Sequence, residues 1–145
     1  MTKACKFCQI ISEEPPASFV LDDECCVAFL DHRPLFPGHC LLVPRTHYET
    51  LMDLPTTLTG LLFNQARILC RAVEGSMAAQ GTFVAINNKI SQSVPHLHVH
   101  VVPRKKGDGL HGFFWPRQHY ADEAEMHEVA ERIRAAVAFF RTNTE

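Results

Sequence analysis

Apolar and polar positions along the chain change period several times, and each change predicts an element. Apolar residues at 58, 61, 62, 66, 69, 72 and 73 follow the spacing of an amphipathic helix across Leu58–Val73. A second stripe, Met126, Val129, Ala130, Ile133, Val137 and Phe140, predicts a C-terminal helix. Asp122, Glu123 and Glu125 at its start and Arg141 near its end suit the helix dipole. Shorter apolar runs read as strands: Ser18–Leu21 and Cys25–Leu30 around the acidic turn Asp22-Asp23-Glu24, then His39–Val43 after Pro34 and Pro37-Gly38. Thr82–Ile86 reads as a fourth strand and PHLHVHVVPR, residues 95–104, as a fifth. Residues 5–11 suggest a short helical turn, and 104–120 a basic loop with the aromatic cluster Phe113-Phe114-Trp115. Strands and helices in this order imply an α+β fold. Its core would be a mainly antiparallel five-stranded sheet with a crossover helix and a C-terminal helix.

The fifth strand carries the chemistry. Side chains alternate along a strand, so His96, His98 and His100 share one face and Leu97, Val99 and Val101 take the other. Pro95 and Pro103 would bracket that strand. Three imidazoles in register point to nucleophilic or acid–base chemistry, with a zinc-hydroxide site using all three as the competing reading.

Composition narrows the setting. At 145 residues the chain suits one domain, and a net charge of −2 argues against a nucleic-acid groove. No apolar run nears the ~18 residues of a membrane span, and MTKACKFCQIISEEPP lacks the layout of a secretory signal. Six cysteines, two of them adjacent, fit free thiols plus one metal-binding pair in a reducing cytoplasm better than a disulfide framework. Cys5 and Cys8 have metal-ligand spacing, which by itself is half a site.

SQSVPHLHVHVVPR resembles the His-φ-His-φ-His-φ-φ signature (φ apolar) of the histidine triad (HIT) superfamily. CKFCQIISEEPPASFVLDDECCVAFLDHRPLFPGHCLLVPRTH is similar to the N-terminal half of its HINT-like branch, so the resemblance spans roughly residues 5–104 of a single HIT domain. It implies a nucleotide hydrolase or transferase, phosphoramidase-like, working on the α-phosphate of a purine nucleoside 5′-phosphate derivative. The middle histidine, His98, would attack and form a covalent nucleotidyl-histidine. His100 and His39 would meet phosphate oxygens, Ser93 the leaving group, and the Gln92 amide a phosphate oxygen. Asp31 would hold the ribose hydroxyls, Phe29 and Leu30 would line the base pocket, and Asn87 would lie near the sugar. The loop Asn88-Lys89-Ile90-Ser91 is shorter than the family's usual glycine-containing loop, which bears on base or leaving-group preference.

The resemblance also completes the metal site: Cys5, Cys8, His47 and His96 would hold a structural zinc, with no organic cofactor. It further implies a homodimer formed through the sheet and the crossover helix, here residues 58–73. Competing functions are a nucleotide-binding regulatory module with incidental turnover and a dinucleoside polyphosphate hydrolase. For the latter, Arg104-Lys105-Lys106 could meet a polyphosphate tail.

Overall fold

In the computed structural model, residues 4–110 and 117–143 are described. They fall into two compact units, one ending at Asp108 and the other beginning at Gly109. The first unit holds α1 (Lys6–Ile11), β1 (Phe19–Asp22), β2 (Cys26–Leu30), β3 (Cys40–Pro44), α2 (Thr56–Ser76), β4 (Gly81–Ala85) and β5 (Val99–Arg104). The sheet order is β1-β2-β3-β5-β4, and every neighbouring pair is antiparallel. The chain leaves β3 through α2 and returns to the far edge at β4, so β5 closes between two strands already laid down.

That central place explains why β5 reads as a nearly continuous apolar run and why the sheet sorts its side chains so strictly. Cys26, Ala28, Cys40, Leu42, Leu97, Val99 and Val101 face one way, onto Leu62, Ala66, Leu69 and Val73 of α2. Val27, Phe29, Leu41 and Val43 face the other way, with Phe7 and Ile10 of α1. Leu97, Val99 and Val101 are fully buried. Each such side chain stabilises the fold by about 1.5–3 kcal/mol relative to exposure. The imidazoles take the α1 face, so one stretch of chain supplies core on one side and chemistry on the other.

The ladder itself is shorter than the alternation suggested. β5 starts at Val99, leaving His96 and His98 in the extended segment that leads into it. Pro103 lies inside β5 instead of ending it. Pairing with β3 stops at Cys40↔Val101, while β4 continues to Gly81↔Arg104, so Pro103 sits where one neighbour is already gone.

Within the second unit, α3 (Glu123–Thr142) is capped by the Asp122 side chain, which accepts from Glu125 N–H at 2.8 Å. Among the described residues, no helix is long and apolar enough to cross a membrane. The aromatic cluster Phe113-Phe114-Trp115 lies outside the described residues.

Candidate active site and metal centre

Cys5 caps α1, and its sulfur accepts from Cys8 N–H at 3.4 Å, so one helical turn places both cysteines on the same end. Phe7 between them anchors that turn against the sheet face. Cys5 Sγ lies 3.4 Å from His96 Nδ1, and Cys8 Sγ lies 3.6 Å from His96 Nδ1 and 3.5 Å from His47 Nδ1. The four ligand atoms lie within 4.8 Å of one another. A tetrahedral zinc with ordinary Zn–S and Zn–N bonds sets its sulfurs and nitrogens about 3.5 Å apart, so the donor set fits that ion in both chemistry and spacing. The orientation of His96 agrees: its Nε2–H donates to Pro44 C=O at 2.9 Å, which leaves the Nδ1 lone pair toward the two sulfurs. Burial, then the neighbouring Cys5, pushes the Cys8 thiol up to about 11. A divalent cation between them would reverse that preference.

His98 is held by the same short segment. Its Nδ1–H donates to the carbonyl of His96, two residues back, at 2.8 Å. A carbonyl can only accept, so the neutral ring keeps its lone pair on Nε2. Burial is the main cause that lowers the His98 pKa, and its hydrogen bond and Asp31 work against the shift. The ring packs edge-on against Phe7, centroids 5.1 Å apart, and beside His100 at 5.0 Å.

His100 in turn lies against His39, whose Nε2 is 3.0 Å from His100 Nδ1. Asp31, at the end of β2, brings Oδ2 to 3.8 Å from the same Nε2, and its Oδ1 accepts from Arg33 N–H at 2.9 Å. Burial, then the nearby His98 and His39, lowers the His100 pKa to about 4, with Asp31 opposing. Burial likewise lowers that of His39, against the pull of Asp31. The cluster is therefore neutral in its imidazoles at pH 7.

This has a consequence for stability. In the unfolded chain a histidine titrates near 6.5. Between that pH and about 4 the unfolded chain takes up a proton that folded His100 refuses. Stability is fully present above pH 6.5 and falls as the solution is acidified. Urea denaturation at saturating zinc should show His100 costing about 2 kcal/mol between pH 7.5 and 5. His100→Asn should remove about that much of the acid loss; an unchanged loss in the variant would assign it to other groups.

The remaining expected site residues divide. Phe29 is buried against Phe7, ring centroids 5.5 Å apart, whereas Leu30 is exposed. Ser93 is exposed, in the segment before His96. Gln92 is tied into its own loop: its carbonyl oxygen accepts from Lys89 N–H at 2.8 Å and its amide donates to Glu49 C=O at 2.5 Å. Asn87 is half-buried beyond β4, while its neighbour Asn88 accepts from Leu51 N–H at 3.0 Å. Arg104 is engaged by Asp108 through two bonds of 2.6 and 2.9 Å. Four participants were not singled out from the sequence: Phe7 beside two imidazoles, and the backbone of Leu35 (whose N–H donates to His39 Nδ1 at 3.1 Å), Pro44 and His96. An aromatic residue inside Cys-x-x-Cys was the available hint for the first; main-chain groups leave none.

Among the described residues, no cluster of metal-sized dimensions gathers all three triad imidazoles. His96 turns toward the cysteines, and His98 and His100 toward Asp31 and His39. The HIT domain model matches residues 12–107. The chain belongs to the HIT family. This family comprises nucleotide-binding hydrolases and transferases. Protein hit of Bacillus subtilis is 34% identical over 137 residues, covering 92% of each chain. Adenylylsulfatase HINT3 of Arabidopsis thaliana is 32% identical over 108 residues, 73% of this chain and 55% of the plant protein, so the match spans about half of that relative. A Zn-bound histidine triad family protein from Mycobacterium smegmatis superposes with a TM-score of 0.70 at 33% identity, covering 97% of both chains.

Proposed function

We propose that this HIT protein cleaves a nucleoside 5′-phosphate derivative, ester, amide or anhydride, through a nucleotidyl group carried on His98. The observation that supports this reading is the His98 Nδ1–H bond to its own segment, which leaves a neutral Nε2 lone pair beside His100. In the first step Nε2 attacks the α-phosphorus, the bond to the leaving group breaks, and the departing atom takes a proton from solvent through the exposed Ser93 hydroxyl, which is reprotonated as it donates. In the second step water attacks phosphorus and gives its proton to solvent, the P–N bond breaks with its electron pair returning to Nε2, and the nucleoside monophosphate leaves with His98 neutral again. His100 donates to the phosphoryl oxygens, where charge accumulates. Asp31 accepts from the ribose hydroxyls, and Phe29 and Leu30 flank a purine base.

The adenylylsulfatase name of the plant relative supports an adenylyl anhydride or amide as substrate class. The Zn-bound relative supports a structural zinc on Cys5, Cys8, His47 and His96, which would be a tetrahedral tie with no open position. We take the working form to be a cytoplasmic homodimer. Incubation with adenosine 5′-phosphoramidate, followed by rapid quench in base and mass spectrometry, should reveal an acid-labile adenylyl group on the His98 peptide. Turnover that continues unchanged when His98 is replaced, with no adduct, would defeat the covalent route.

A further inference from the structure

Both ring nitrogens of His39 are engaged, and one of its partners cannot change role. Leu35 N–H points at His39 Nδ1 from 3.1 Å. A backbone N–H only donates, so Nδ1 accepts and carries no proton. Neutral His39 therefore keeps its proton on Nε2, 3.0 Å from His100 Nδ1. That nitrogen is then the acceptor, and His100 carries its own proton on Nε2. Asp31 Oδ2, at 3.8 Å, is too far from His39 Nε2 to compete for the bond. Protonating His39 would set its Nδ1–H against Leu35 N–H, in a residue only 3% exposed.

The loop that aims Leu35 N–H is itself closely held. Asp31 N–H donates to His39 C=O at 2.9 Å and His39 N–H to Phe36 C=O at 3.0 Å, closing the chain between β2 and β3. Pro34 and Pro37 restrict its backbone. Gly38 adopts φ +98, and a Cβ there would come 2.7 Å from Met77 Cγ, so glycine is required on both counts.

We propose that Leu35 N–H, His39 and His100 form a tautomer relay, in which a loop amide decides where His100 carries its proton. His39 is then a positioning residue that acts through His100 and not on the substrate. The relay leaves His100 Nε2–H as a neutral donor; that this donor meets a phosphoryl group rests on the proposed function. The same logic bears on Asp31, His39 and His100 as a metal cluster. A cation on His39 Nε2 would require the proton on Nδ1, where Leu35 already donates.

Nitrogen NMR of selectively labelled imidazoles tests the relay in the free protein, independently of any substrate. The wild type should show His100 protonated at Nε2, with a coupling across the His39 Nε2–H···Nδ1 bond. His39→Phe should leave His100 a mixture of tautomers. With adenosine 5′-phosphoramidate, kcat should fall roughly 10–100-fold, the usual cost of losing an orienting partner, with KM little changed. His39→Gln, whose amide N–H can reach the place of Nε2–H, should restore both the tautomer and most of kcat. Wild-type His100 protonated at Nδ1 overturns the relay outright, whatever the enzyme turns over. A folded His39→Phe protein that keeps a pure His100 Nε2–H tautomer overturns it too, as does a His39→Gln protein no better than His39→Phe. Absence of turnover on every adenylyl compound, with the wild-type tautomer as stated, would instead count against the proposed function alone.

Discussion

A His98→Asn protein is expected to turn over adenosine 5′-phosphoramidate at least about 10³-fold more slowly than the wild type, while melting within a few degrees of it. Asparagine is chosen because its amide nitrogen falls near the position of Nδ1. It can still donate to His96 C=O, the bond that His98 makes at 2.8 Å. The variant thus keeps the local tie and loses only the nitrogen that would attack phosphorus. Alanine would also open a cavity beside Phe7, 5.1 Å from the imidazole, and confuse lost chemistry with lost packing. Steady-state rates, with melting as control, decide the matter. Activity within tenfold of wild type would mean that another group attacks, or that water does so directly.

Removing the metal is expected to produce the largest change in stability. Cys8 lies in the six-residue α1 and Cys5 caps it, and the buried anchors of that helix are Phe7 and Ile10. The ion would join that turn to His47 and His96, closing a loop of more than ninety positions, from Cys5 to His96. By analogy with a disulfide over such a length, the cross-link would contribute roughly 4 kcal/mol. Chelation, or Cys8→Ser, should therefore lower Tm by about 10 °C. Metal analysis should find one zinc per chain before chelation and none after. The effect should also reach the active site, because His96 C=O holds His98 and Phe7 contacts both rings. Purified protein without metal, or chelated protein with unchanged Tm and unchanged His98 ring resonances, would remove the site from the account.

Much of the fold was legible because its signals are local and repeated. The apolar stripe at 58–73 became α2, longer by a turn (Thr56–Ser76), and the stripe at 126–140 became α3. Alternation from Leu97 to Val101 correctly assigned the buried face, since exchanging faces would set imidazoles against α2. Element ends were less legible. His96 and His98 fall outside the ladder and Pro103 inside it, because pairing partners, not the strand's own residues, decide where hydrogen bonds stop.

The sequence alone determined which residue types were available and which could share a face: three imidazoles on one side of a segment, two thiols on one helical turn. It also determined membership of the HIT family, because the combination of separated motifs across roughly residues 5–104 is specific. The family resemblance already implied different roles for the three histidines; only the tertiary structure decided which group faces each ring. His96 is turned to the sulfurs by Pro44 C=O, His98 is fixed by the carbonyl of His96, and His100 is set against His39. An imidazole's role depends on which nitrogen keeps its proton, and that depends on the group facing the other nitrogen. Those facing groups are mostly main-chain atoms, identical in every residue, so their placement exists only once the chain has folded.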